Sequence, residues 1–279
     1  MSVDAHSEAR GLTARLAAAR RASVRADARL DDAIDDFFLA DEARLDDRTR
    51  FAVRDLLGGI VRGIEADIRR QAVRLLTAAG TNRRAQALAE ADDSIVDRLK
   101  RFGLLRDRQL MDELIGRVRT ETIGAALPVD ITDTDRVSLL VRLADSDDGV
   151  VANAARQLMA TEARRLGASG RARASELPAD LHRPITWLIA AYIRESAAAT
   201  DGDDIAVDRA IVESARRSLD AHDDTDRAEA HAMRLAQAID ARPDERASLL
   251  VESLCDRRLI LFVACLAHAL DLDSDSARA

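Results

Sequence analysis

Lysine is almost absent from this sequence of 279 residues: Lys100 is the only lysine among its 42 lysine and arginine residues. A phosphate-binding loop and a Schiff-base catalyst both need a lysine. Lys100 lies between Leu99 and Arg101, a setting typical of neither. The near-absence of lysine therefore argues against both kinds of site.

Cysteine is also scarce, with two residues, Cys255 and Cys265. Two cysteines cannot build a disulfide framework, and on one helix they would lie roughly 15 Å apart, too far for a bridge. Their neighbours are mostly leucine, valine and alanine. We therefore expect two small, reduced core residues rather than reactive thiols.

Aromatic residues, glycine and proline are few: aromatic residues make up 3% of the chain, with 12 glycines and 4 prolines. Strand-forming residues and turn breakers are therefore both scarce, while alanine, leucine, arginine and the acidic residues are abundant. This composition predicts an all-α protein, and no stretch has the alternating pattern of a strand.

No apolar run is long enough to span a bilayer. The longest, Leu259 to Leu270, has 12 residues and contains His268, and it predicts a buried helix. The first residues, Met1 to His6, are polar and lack the apolar segment of a signal peptide. These features predict a cytoplasmic protein with no membrane partner.

Acidic residues outnumber basic ones, which gives a net charge of −8 and an isoelectric point near 5.3. A dedicated nucleic-acid-binding protein usually carries a basic field. The arginines here alternate with acidic residues at spacings of about three or four positions, the pattern of a salt-bridged helix surface. The charge pattern therefore disfavours a nucleic-acid partner.

Apolar residues recur at helical spacing along most of the chain. One stripe keeps a single helical face, so residues 47–79 form either one long helix or two helices broken near Gly58, Gly59 and Gly63. The spacing of Gly59 and Gly63 also predicts close packing of a neighbouring helix. Further helices are predicted over 7–21, 23–40, 95–102, 107–118, 120–127, 134–144, 150–166, 205–220, 226–241, 243–254 and 257–270, and from Pro184 onward.

Residues 134–166 have the most regular pattern and predict a helical hairpin with a turn that begins at Asp145. Residues 167–180 are rich in glycine, alanine and serine and are the only convincing linker. The sequence therefore predicts an N-terminal helical lobe over 1–166 and a C-terminal helical lobe over 181–279, or one continuous domain.

The hairpin turn resembles a calcium-binding loop, because Asp145, Asp147 and Asp148 follow one another closely. However, Gly149 falls at the fifth position instead of the sixth, and Arg156 stands where a bidentate glutamate is required. The pattern therefore predicts a turn and a helix cap rather than a calcium site.

The histidines and large aromatic residues indicate no active site. None of the five histidines lies at a metal-binding spacing from another. We expect His268 to be partly buried and hydrogen-bonded, and for His231 phosphotransfer stays open as a hypothesis without specific support. Trp187 and Tyr192 lie in an apolar helix and are predicted to pack in the core. The sequence predicts no catalytic residue, cofactor or metal.

The predicted hairpin resembles a HEAT-type helix pair, in which a leucine-rich helix, an aspartate turn and a helix of valine, alanine and leucine recur. In addition, residues 56–69, 94–110 and 259–270 resemble a bacterial family catalogued as domain of unknown function 2336. The resemblance implies an all-helical, HEAT-like stack of helical hairpins with no established activity, and it transfers no catalytic residue.

Two classes of function stay open. Stacked helix pairs present extended surfaces, so we expect a non-enzymatic module for protein–protein interaction or scaffolding, with a protein partner. The alternative is a HEAT-like nucleic-acid-binding protein or an enzyme that acts on DNA, which the high arginine content favours.

The candidate partner-binding residues are Asn153, Arg156 and Arg164, at spacings that place them close to one face of the second hairpin helix. The second helix of a HEAT-type pair commonly lines the concave surface. An arginine pair beside a small residue suits an acidic segment or a peptide carboxylate. The alternative is that both arginines pair with Asp148 or Glu162 on a solvated surface.

Overall fold

Eleven α-helices and one short 3₁₀ helix make up the part of the chain that the computed structural model describes, residues 45–90, 95–101, 105–128, 137–167, 176–201, 204–239 and 243–271. No strand occurs in these residues, which confirms the prediction of an all-α protein. The α-helices are α1 (Asp47–Ala78), α2 (Asn82–Glu90), α3 (Ile95–Arg101), α4 (Arg108–Ala126), α5 (Leu139–Ala144), α6 (Gly149–Gly167), α7 (Ala179–Asp201), α8 (Ile205–Asp220), α9 (Ala228–Ile239), α10 (Pro243–Cys255) and α11 (Leu259–Leu270); the 3₁₀ helix is Asp224–Asp226.

The chain divides into two units, Met1–Arg50 and Phe51–Ala279. In the first unit, the carboxylate of Asp46 accepts hydrogen bonds from the backbone N–H and the hydroxyl of Thr49, both 2.8 Å, at the start of α1. Helices α2 to α11 belong to the second unit. The predicted helices over 7–21 and 23–40, and most of the predicted linker, lie outside the described residues.

Helical hairpins recur in the second unit. Helix α5 packs on α6, α7 on α8 and α10 on α11, while α9 packs on both α6 and α11. The hairpin of α5 and α6 matches the one predicted over 134–166, and Asp148 accepts from the backbone N–H of Val150 at 2.8 Å. The predicted turn and helix cap are therefore confirmed, and the packing agrees with a stack of helical hairpins.

Helix α5 is shorter than predicted, because its first residue is Leu139 and the two described residues before it are not helical. Ser138 occupies the capping position without a side-chain hydrogen bond. Instead, the backbone N–H of Leu139 donates to the carboxylate of Asp256, which follows α10. A distant residue thus supplies the cap.

Helix α1 runs unbroken through all three of its glycines, so the single-helix alternative for 47–79 is the one that occurs. Its apolar stripe is buried from Val53 to Leu76. A Cβ added at Gly59 would meet no described atom within 4 Å. Among the described residues, nothing packs closely on Gly59, and the close packing predicted for Gly59 and Gly63 stays a prediction. Burial of the apolar stripe explains why the helix is continuous despite its glycines.

Two separate apolar clusters fill the second unit. The first core is built by α1, α2, α3, α4, α7 and α8, with Ile68, Leu114 and Ile193 among its fully buried side chains. The second core is built by α5, α6, α9 and α11, around Leu158 and Leu235. Burial of each such side chain stabilises the fold by about 1.5–3 kcal/mol.

Each core combines helices from both sides of the predicted linker. The first core joins α1–α4 to α7 and α8, and the second joins α5 and α6 to α9 and α11. The boundaries 1–166, 167–180 and 181–279 stay a prediction.

Two predicted helix boundaries, a break before residue 120 and a helix start at Pro184, are wrong because α4 and α7 continue through them. The helix expected over 120–127 is the last part of α4, which runs without a break to Ala126 just before Pro128. Pro184 is not a first helical residue: α7 begins at Ala179, and Pro184 lies inside it. The N-terminal position belongs to Pro178, whose carbonyl accepts from the first turn of α7.

Three side chains expected in apolar surroundings are exposed. Trp187 lies on the outer side of α7, whereas Tyr192 is buried as predicted. Cys255 is exposed, while Cys265 packs against the second core, where burial raises its thiol pKa to about 11. His268 is exposed rather than partly buried. Each lies in a helix with one buried face and falls on the opposite side of it.

Candidate functional site

The three predicted partner-binding residues are all exposed on α6. Arg156 donates to the backbone carbonyl of Ala144. Arg164 donates to both carboxylate oxygens of Asp226, at 3.2 and 3.0 Å. The arginine partners are therefore neither Asp148 nor Glu162. Together with Asn153 they share a helix surface, but both arginines are already hydrogen-bonded within the fold, and their role as a partner site stays a prediction.

His231 is buried at the start of α9 with both ring nitrogens occupied. Its Nε2 lies 3.1 Å from a carboxylate oxygen of Asp226, and its Nδ1 lies 2.8 Å from a guanidinium nitrogen of Arg234. A guanidinium only donates, so Nδ1 accepts and Nε2 carries the proton that is donated to Asp226. This arrangement leaves no ring nitrogen for a phosphoryl group and argues against phosphotransfer.

A stacked pair of histidines lies where α7 meets the end of α8. The rings of His182 and His222 are 4.0 Å apart and nearly parallel. His182 is buried, and its Nδ1 has no hydrogen-bond partner among the described residues. Burial first, and then the neighbouring His222, lower the pKa of His182 to about 4, against the opposing effect of Asp224. The fold therefore holds His182 neutral.

A network of arginines and glutamates joins the helices of the two cores. We call it the arginine–glutamate network; its members are Glu113, Arg117, Glu121, Arg165, Glu176, Arg227 and Glu229. Arg165 from α6 donates to Glu176, just before α7, and lies 3.2 Å from Glu229 of α9. Arg227 donates to Glu113 of α4 at 2.9 Å. Four parts of the chain therefore meet through charged side chains.

The two most buried arginines of the network differ in how well they are paired. Arg165 is 9% exposed; burial lowers its pKa, but Glu229 and Glu176 outweigh burial and raise that pKa above its ordinary value. Arg117 is 5% exposed, and burial and the nearby Arg165 lower its pKa. Its Nε has no hydrogen-bond partner among the described residues, although Glu121 lies 3.5 Å away. Arg165 is thus better compensated than Arg117.

A groove of about 850 Å³ lies between α4, the start of α7 and the start of α11, and it shares Glu113 with the arginine–glutamate network. Its apolar wall includes Ile115 and Ile123 of α4 and Phe262 of α11. Ligand sites in proteins commonly have volumes of roughly 300–1,000 Å³ and lie at junctions between structural units. The groove has this size and this position, beside the junction of the two cores.

Two glycines of α4 differ in their surroundings, and one of them, Gly116, lies in the lining of the groove. Its lining residues on this helix recur every three or four positions, and Gly116 lies in the middle of them. A Cβ added at Gly116 would meet no described atom within 4 Å, whereas one added at Gly124 would lie 3.4 Å from the carbonyl oxygen of Arg257. The groove is therefore open at Gly116, while α4 approaches the start of α11 closely at Gly124.

The turn before α11 sets the position of the groove wall that α11 forms. The backbone N–H of Arg258 donates to the carbonyl of Ser253 at 2.7 Å, and that of Arg257 donates to Leu254 at 2.9 Å. Arg257 has φ of 58°, the left-handed conformation that usually belongs to glycine at this position. The hydrogen bonds of the turn after α10 thus set the direction of α11, which packs against α4.

Acidic residues dominate the charge of the groove. Asp112 of α4 and Asp180 of α7 are both exposed, and neither has an ion-pair partner within the described part of the chain. Glu113 is half-buried, and Arg119 is the arginine of the lining. The groove therefore combines an apolar wall with three carboxylates and one guanidinium.

The groove could not be predicted from the sequence, because its walls come from distant parts of the chain. The local signal was a glycine in the middle of an apolar helix, at Gly116, where a larger residue would favour the helix.

Among the described residues, no group of three or more His, Cys, Asp or Glu side chains is placed to hold a metal ion.

Comparisons of the chain with protein-family models, with curated proteins and with solved structures find no match. Within the described ranges, no helix combines the length and the apolar character needed to cross a membrane.

Proposed function

We propose that this protein is a non-enzymatic interaction module that binds a partner protein in the groove between α4, α7 and α11. The observation that carries the proposal is the groove itself, an open depression with apolar and ionisable lining at the junction of two cores. Exposed apolar side chains at such a position are typical of protein-binding surfaces. Ile123, 53% exposed on the groove wall, is the clearest of them.

The charges of the groove favour a protein partner over nucleic acid. Asp112, Glu113 and Asp180 repel phosphate groups, whereas nucleic-acid affinity depends on arginine or lysine contacts to phosphates. Many arginines serve the fold instead: Arg165 and Arg227 bind carboxylates inside the second unit. The high arginine content thus has a structural explanation that does not require DNA.

A HEAT-like scaffold that works in the cytoplasm is the most economical setting for such a module. The helix pairs of the second unit support it, since stacked pairs expose long side surfaces. Membership of the family catalogued as domain of unknown function 2336 is part of the same proposal. Neither supplies a catalytic residue.

The test uses the purified full-length chain as bait in an extract of its source cell, followed by titration of the recovered protein. Ile123→Glu places a charge in the groove wall, and we expect it to weaken binding about tenfold or more, as for an interface anchor. Val251→Glu is the matched control, because Val251 is 60% exposed on α10 and lies outside the groove lining.

Three outcomes of this test can be distinguished. Loss of partner with Ile123→Glu and retention with Val251→Glu, both folded by circular dichroism, support the groove as the binding site. Equal affinity of both variants would overturn it. A complex with nucleic acid that weakens steeply with added salt would support the alternative function instead.

A further inference from the structure

We infer that the occupant of the groove is an amphipathic helix of the partner protein that carries arginine or lysine beside its apolar stripe. This inference rests on the proposed function, since it specifies the chemistry of the partner at the same site. Three properties of the groove lead to it: the elements that line it, the open space at Gly116, and two carboxylates, Asp112 and Asp180, that have no ion-pair partner among the described residues.

The lining elements favour recognition through side chains. Helices and the residues at their starts line the groove, and the backbone N–H and C=O groups inside a helix are already hydrogen-bonded to each other. A strand could not add itself here by backbone pairing, because no sheet edge occurs in the described ranges. A helix whose apolar face contacts the groove at every third or fourth residue suits a wall that is itself built from helices.

The space at Gly116 suits the close approach of such a helix. With no side chain at this position and no described atom within 4 Å of the place where a Cβ would stand, the backbone of α4 is accessible. Ile123 on the same helix and Phe262 on α11 offer apolar contacts beside it. A leucine or similar side chain of the partner would therefore contact apolar surface on both α4 and α11.

The charges specify the polar face of the partner helix. Asp112 and Asp180 lie on different helices, and within the described part of the chain neither has an ion-pair partner. An arginine or lysine of the partner would pair with each of them, and a partner carboxylate would pair with Arg119. The net charge of −8 attracts a basic segment over longer distance as well.

The probes are synthetic, fluorescein-labelled peptides of about 16 residues, long enough for four helical turns. All have the same spacing of stripe positions. The first carries leucine in the stripe and arginine and lysine on the polar face, the second replaces those basic residues with glutamate, and the third keeps them but replaces the leucines with serine. Binding to the full-length protein is measured by fluorescence anisotropy at about 0.15 M salt, where distant charges are screened.

Two pairs of variants distinguish the groove from general electrostatic attraction. Asp112→Asn with Asp180→Asn removes the carboxylates of the groove. Asp147→Asn with Asp220→Asn is the matched control, because these two aspartates are exposed outside the groove and the net charge changes equally. Ile123→Glu tests the apolar wall separately.

We expect the basic leucine peptide to bind about tenfold more tightly than either of the other two, and to lose about tenfold with Asp112→Asn and Asp180→Asn, a range typical of close charge pairs at an interface. The control pair should change its affinity by less than about twofold. Equal binding of the basic and acidic leucine peptides, both weakened by Ile123→Glu, would overturn the basic partner but leave the groove as a binding site. Peptide affinity that is unchanged by Ile123→Glu, or no binding by any peptide, would overturn the inference. The proposed function is then decided separately, by whether Ile123→Glu used as bait still recovers the partner protein.

Discussion

The arginine–glutamate network and the groove share Glu113 but differ in how their charges are paired. In the network, Arg165 and Arg227 face carboxylates of other elements and are largely buried. In the groove, Asp112 is exposed and has no ion-pair partner among the described residues. A buried charge needs a partner inside the fold because it has lost its water, whereas an exposed charge is already solvated. Charge in the network therefore serves folding, and charge in the groove is available to another molecule.

The largest expected effect tests the network. Arg165→Met should lower the free energy of unfolding by about 3–5 kcal/mol, because Glu176 and Glu229 would stay largely buried without the guanidinium that pairs with both of them. Urea unfolding at pH 7 measures it. Arg164→Met is the control: this neighbour is 59% exposed in its pair with Asp226, and its loss should be below about 1 kcal/mol. Equal losses for the two variants would remove the distinction between buried and exposed charge.

The second prediction concerns acid. His182 has a pKa of about 4 in the fold and 6.5 when exposed, so the unfolded chain binds its proton more readily. The contribution of His182 to stability should therefore be constant above about pH 6.5 and fall by about 3 kcal/mol as the pH is lowered through 4. Urea midpoints across this range measure the effect.

The control for the acid prediction is His182→Gln, whose stability should depend less on pH over the same interval. Glu162, whose pKa burial raises, contributes in the opposite direction in both proteins and cancels in the comparison. A pH profile unchanged by His182→Gln would contradict the assignment to this histidine.

The third prediction compares two glycines of α4, one in open space at Gly116 and one close to the start of α11 at Gly124. Gly116→Ala should stabilise the protein by about 0.5–1 kcal/mol, because alanine favours a helix interior and nothing described lies close to the new Cβ. Gly124→Ala should gain less or lose stability, because its Cβ would lie at the limit of contact, 3.4 Å from the carbonyl oxygen of Arg257. If the gain at Gly124 matched that at Gly116, the difference in packing between the two positions would be refuted.

The smallest expected effect tests the groove. Asp112→Asn should change the free energy of unfolding by less than about 0.5 kcal/mol, as for an exposed residue without a structural partner. Its neighbour Glu113→Gln should lower it by about 1–3 kcal/mol, because Arg227 loses a charged partner. Thermal unfolding of both variants is the measurement. A comparable loss for Asp112→Asn would mean that this carboxylate has a structural role.

Local signals explain which parts of the fold the sequence predicts well. The limits of α8 match the prediction because Asp204 caps its first turn, accepting from the backbone N–H of Ala206 at 2.8 Å. Asp107 likewise caps the first turn of α4, accepting from the backbone N–H of Leu110 at 2.8 Å. Capping depends on residues only a few positions apart, so its outcome can be inferred before the fold is known.

Long-range packing explains what the sequence does not predict. Pro184 lies inside α7 because the helix begins earlier, at Ala179, and Trp187 lies on the exposed side of α7, outside the core. The groove and the arginine–glutamate network depend on which helices become neighbours. An amphipathic pattern shows that a helix has a partner but not which one, so neither could be located from the sequence.

The position of Glu113 has a consequence for how the protein would respond to an occupied groove. A carboxylate has two oxygens with several lone pairs, so Glu113 can hold Arg227 and accept a second cation at the same time. A cation that arrives from the groove would then compete with Arg227 for the negative charge of Glu113. If the hydrogen bond between Arg227 and Glu113 weakened, the contact between the two cores would weaken as well. Binding in the groove would thus change the stiffness of the joint between the two cores, detectable as altered amide exchange in α9 as well as in the groove.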